Sequence, residues 1–160
     1  MNELIHIFRY KLLWLNILLS LLFLGLSFFY QPALALLFVL LSNVFDILGY
    51  HFSLIRRTKQ LPDKVIIRSY RINQFLFDLL LLILIGLQFS WIASLCGWIM
   101  KLFGLQDIFY YLFLQIPLPE KWTWMRWTPF GFLKGDLNKT EIIIQAITGI
   151  LISIFIFIFI

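Results

Sequence analysis

Apolar residues fill long unbroken runs in this chain, and polar residues gather between them. The first run, 12–30, is about 19 residues long, enough for one helical crossing of a bilayer. Tyr30-Gln31-Pro32 makes a tight connection, and proline suits the first turn of a helix, so a second helix is expected over 32–51. A third helix starts near Ile72 and makes one crossing to about Trp91, since no proline or glycine pair interrupts it between Asp78 and Trp91; it extends to about 104, continuing out of the membrane or bending along its surface. A fold-back around Ser90 would add a fifth crossing; Lys101 argues against it, since a lysine at mid-bilayer costs about 2.5–3.5 kcal/mol. The last run, 141–160, forms one more crossing. Its ISIFIFIFI end alternates like a strand, but a lone strand in lipid leaves backbone groups unpaired, so helix is expected. Asn138 or Thr140 can cap it, with Glu141 at its positive end.

Between the third and last helices lies a different kind of segment, 105–131. It contains Asp107, Tyr110, Tyr111, three prolines, Trp122, Trp124 and Trp127. A short helix over 108–115, stopped by Pro117, is too short to span, and an irregular aromatic loop follows. Tryptophan and tyrosine favour the headgroup level, so this segment reads as an interfacial aromatic cap. The sharper alternative is a ligand-binding lid, in which Asp107, Trp124 and Arg126 hold an anionic or sugar-like headgroup.

Composition agrees with this pattern. Hydrophobic residues are 62% of 160 and charged residues 13%, where a soluble domain carries about 25% charged. The expected class is an all-α integral membrane protein of one domain, with about four transmembrane helices. A single cysteine, Cys96, excludes an internal disulfide and any multi-cysteine metal site.

Charge placement suggests orientation. Arg56, Arg57, Lys59, Lys64, Arg68 and Arg71 crowd the segment after the second helix, against one acid, Asp63. Arg9 and Lys11 precede the first helix, and the 28–32 turn has no charge. Basic residues accumulate in short cytoplasmic loops, so this segment and both termini are expected in the cytoplasm, with the aromatic cap outside. The expected location is the cell membrane. Arg56 and Arg57 would meet anionic lipid or, more specifically, hold a phosphate ligand.

Candidate chemistry is sparse. There is no H-E-x-x-H, G-x-S-x-G, P-loop or Rossmann glycine pattern. The two histidines, His6 and His51, have nothing to orient them toward one another as haem ligands. Asp46 and Asp78 stand out: each lies inside an apolar run, about 7 and 9 Å deep at 1.5 Å per residue. Asn43 sits three residues before Asp46 and Gln74 four before Asp78, giving each acid an amide on its own helix face, with Asn16 at comparable depth. Intramembrane carboxylates are costly and face the bundle interior. Either they lock helix packing, or they act as catalytic base, metal ligands or proton relay. The leading expectation is a packing, partner-binding or lipid-interacting membrane component. The rivals are an enzyme acting on a lipid or polyprenyl phosphate and a proton-coupled carrier. The expected partners are the bilayer, anionic lipid at the basic segment, and another membrane protein or further copies of the chain, with no nucleic acid. The sequence names no cofactor.

Overall fold

The computed structural model of the chain describes residues 11–54 and 63–160. These form a helical bundle: α1 (Lys11–Ser27), α2 (Ala33–Asp46) continued by a π-helix (Ile47–Leu54), α3 (Asp63–Gln88), α4 (Trp91–Leu102), α5 (Leu105–Leu114), α6 (Pro129–Lys134) and α7 (Lys139–Phe159). Strands β1 (Lys121–Trp122) and β2 (Leu137–Asn138) pair antiparallel, and a 3-10 turn (Thr123–Trp127) follows β1. Three stretches are long and apolar enough to cross a membrane: Ala33–Tyr50, Ile67–Gln88 and Lys139–Phe159. The pair α4 and α5 qualifies as a fourth if its 68° bend belongs to one span.

The expected helix starts and caps appear where local chemistry asked for them. Pro32 precedes the first residue of α2. Asn138 accepts a hydrogen bond from the Glu141 N–H while Glu141 accepts one from the Asn138 N–H, a complete capping box at the start of α7.

The third helix departs from expectation. It does not run on to 104; it stops at Gln88, and α4 folds back along it. Ser90 adopts an extended backbone and its hydroxyl accepts from the Ala93 N–H, which caps α4. The Trp91 ring lies over Gly86, where a Cβ would come within 2.4 Å of it. Further along, Ser94 Oγ donates to the Leu82 carbonyl at 2.8 Å. The cost of burying Lys101, which argued for a straight helix, is offset by an ion pair with Asp78. Asp78 lies ten residues before the end of α3 and Lys101 ten after the start of α4, so folding back brings them level.

Helix α4 packs between α2 and α7. Gly97 permits close approach to α2: a Cβ there would stand 2.5 Å from Phe38 Cβ and 2.9 Å from the Ala35 carbonyl oxygen. Small residues at helix crossings are the usual means of tight packing where lipid supplies no hydrophobic drive. Replacing Gly97 by valine is therefore expected to destabilise the bundle by about 1–3 kcal/mol, the usual cost of overpacking. An unchanged unfolding midpoint in bicelles would show that α2 and α4 are not in contact. Against α7, Ser153 Oγ donates to the Cys96 carbonyl at 3.2 Å, Gly149 faces Phe103, and Gly104 faces Ile142. The two helices therefore run antiparallel.

These contacts define two unlike ends. At one end Phe28 and Phe89 meet edge to face, and Leu34, Ala93 and Phe157 share a cluster. At the other, Leu13, Ile47, Phe113 and Leu114 pack together, close to where α5 crosses α2. Residues 12–45, 79–100 and 142–160 carry no charge, so among the described residues the charges lie toward the second end. Two expectations change. The aromatic cap stands at the same end as the start of α1 and the end of α2, not opposite them. The far end of α7 lies at the apolar end, so the beginning of α1 and the end of α7 stand at opposite ends of the bundle. The single fold-back at Ser90 causes both changes.

Candidate functional site

Asp46 and Asp78 are both buried, and each is held by side chains from other helices. The Asp46 carboxylate accepts from the Tyr70 hydroxyl, from Gln74 Nε2 at 2.9 and 3.1 Å, and from Gln106 Nε2. It thus ties α2 to α3 and α5. Asp78 accepts from Ser42 Oγ at 3.3 Å and is ion-paired with Lys101, tying α3 to α2 and α4. Two carboxylates therefore join four helices. A carboxylate has about four acceptor positions, and on Asp46 these are taken by donors already in place.

The expected pairing of each acid with an amide on its own helix is not what forms. Gln74 serves Asp46 rather than Asp78, because α3 presents Tyr70 and Gln74, one turn apart, to the same carboxylate. The cation for Asp78 comes from α4, not from the basic segment. Asn16 and Asn43 are fully buried, and neither amide finds a hydrogen-bond partner among the described residues. The structural partners that sequence reasoning missed are Ser42, Tyr70, Lys101 and Gln106. Lys101 and Gln106 share a signal with hindsight: each is a polar side chain within a run of apolar helix.

The cap residues do not converge on one ligand. Trp124 Nε1 donates to Asp107 Oδ1 at 3.3 Å, beneath the cap. Arg126 is exposed and donates from Nε to Asp136 Oδ1 at 2.6 Å. That contact holds the Asp136 carboxyl below the usual carboxylate range and raises the guanidinium. Trp122 is 0% exposed, packed on Met125, Leu137 and Ile142 and edge-on to Tyr111 at 5.2 Å. It is a core pillar of the cap, not the headgroup anchor expected of it. A shallow cleft of about 240 Å³ opens between Lys121, Lys134, Asp136, Leu137, Asn138 and Glu141. No residue of the aspartate cluster lines it, and Lys134 and Glu141 are already paired across it.

Arg56, Arg57 and His6 lie outside the described residues. Among the described residues, no group of three or more His, Cys, Asp or Glu side chains is placed to hold a metal ion. The chain matches no protein-family model, no curated protein and no solved structure.

Proposed function

We propose that this protein is a multi-pass membrane component in which the Asp46 and Asp78 cluster fixes how the helices pack, with the charged end in the cytoplasm. The observation that carries this reading is the set of direct contacts on the two carboxylates: four helices are joined, and the acceptor positions of Asp46 are filled by protein donors. A catalytic base or metal ligand needs an open position toward substrate or ion. Orientation follows from charge. Among the described residues the lysines and arginines lie toward one end of the bundle, and basic residues near membrane helices stay on the cytoplasmic side. The outward apolar faces of α1, α3 and α7 would meet lipid, further copies of the chain, or a partner membrane protein.

A proton-coupled carrier is the second reading. It is supported by Asp46 being held by neutral donors, beside the unpartnered Asn43 one turn earlier. The substitution Asp46→Asn separates the two. It keeps the size of the side chain but turns one acceptor oxygen into a donor facing Gln74 or Gln106. Packing then loses about 1–3 kcal/mol, the cost of a buried donor left unpaired. Inserted protein falls in amount and unfolds earlier in bicelles. A variant inserted at normal abundance and stability that no longer complements a deletion strain would favour the carrier and defeat the packing reading.

A further inference from the structure

Helix α6 carries an apolar tip that nothing in the bundle covers. Phe132 and Leu133 are each 83% exposed, and Trp127, just before the helix, is also exposed. On its inner side α6 is fastened to α7: Thr128 Oγ1 and the Phe130 N–H donate to Gln145 Oε1 at 3.0 and 2.9 Å. Gly131 allows this seat, since a Cβ there would fall 1.9 Å from the Met125 carbonyl oxygen. Gln145 lies six residues into α7, or about 9 Å along the axis from Lys139 at 1.5 Å per residue. The start of α6 is therefore level with the second turn of α7, where Ile143, Ile144 and Ile147 are turned outward. Arg126 and Lys134 flank the tip with their side chains mostly exposed.

We propose that α6 is a wedge dipping into the leaflet at the charged end. Phe132 and Leu133 sit among the upper acyl chains, Trp127 lies at headgroup level, and Arg126 and Lys134 reach the lipid phosphates. The proposal rests on the membrane reading above. Depth favours lipid over a soluble partner: α6 is tied to Gln145 at its start and to Glu141 through Lys134 at its end, which brackets the tip beside a part of α7 whose own exposed face is isoleucine. The chemistry agrees, since an aromatic-aliphatic tip flanked by basic side chains suits the boundary between acyl chains and anionic headgroups.

The test is spin-label accessibility in nanodiscs containing anionic lipid. Single cysteines replace Phe132, Leu133, Glu120 or Ile147 in a Cys96→Ala background, each with one label. Labels at 132 and 133 are expected to collide with oxygen and be shielded from a water-soluble nickel chelate, like the label at 147, while the label at 120 meets the chelate. If 132 and 133 meet the chelate as 120 does, the wedge is refuted and the membrane reading stands. Shielding from both oxygen and chelate would mean that protein covers the tip, and would also overturn the wedge. Chelate access at 147 would defeat the membrane reading itself.

Discussion

Replacing Lys101 by methionine is expected to cost the bundle about 3–5 kcal/mol, the range seen when one partner of a buried ion pair is removed. Methionine keeps the length and apolar stem of lysine, so packing on α2 and α7 changes little. What remains is Asp78, buried and left with Ser42 Oγ at 3.3 Å as its partner in the described bundle. A lone charge at that depth costs about 2.5–3.5 kcal/mol even on the lenient insertion scale, so the carboxylate must take up a proton or the α3–α4 hairpin must open. The double variant Lys101→Met, Asp78→Leu removes both charges. Exchanging a buried pair for apolar side chains is often neutral or stabilising, so most of the loss should return. The surface pairs Arg126–Asp136 and Lys134–Glu141 provide the contrast: solvent screens them, and their removal should change little. The measurement is unfolding of all variants in bicelles, read as a double-mutant cycle. A small effect of Lys101→Met, or a double variant no better than the single, would show that the pair does not hold the fold-back.

What could be read from the sequence was what depends on neighbours along the chain. Pro32 opening α2, Asn138 with Glu141 opening α7, and the apolar length of the spans all follow from local rules. The two aspartates were legible as cost: a carboxylate within an apolar run needs a partner. Which partner it finds is set by the fold-back, and the fold-back had a weak signal. Ser90 is a single N-cap, and Gly86 matters only because the Trp91 ring returns over it. Taken as an isolated charge, Lys101 makes the fold-back look too expensive. Weighed with Asp78, ten residues on the other side of the break, the same lysine becomes an argument for the hairpin. The cap misled for a related reason. Composition marks Trp122 and Trp127 alike as interfacial, whereas a two-residue strand pair buries the first and leaves the second outside.

Single cysteines introduced at Lys121, Lys134 and Lys59, in a Cys96→Ala background, are expected to react alike with an impermeant maleimide: not from outside intact cells, and fully once the membrane is opened. A cysteine at Gln31 should react fully from outside intact cells, with no gain when the membrane is opened. The difference is all-or-none because it reports which side of the bilayer a residue occupies. The reasoning starts from α4, whose return along α3 carries the chain back to the end where α2 finishes and α3 begins. The cap thereby stands at the end where the π-helix Ile47–Leu54 finishes and α3 starts, the two described flanks of the segment whose sequence bears Arg56, Arg57 and Lys59. Keeping the cap and the basic segment on one side leaves the Gln31 and Ser90 turns, both uncharged, to face outward, the orientation that the positive-inside bias favours and that this labelling tests. Labelling of Lys121→Cys from outside with Lys59→Cys protected would put the cap and the basic segment on opposite faces, and the α3–α4 hairpin would have to be abandoned for one long helix. Labelling of all three from outside with Gln31→Cys protected would leave the hairpin intact and reverse the orientation alone.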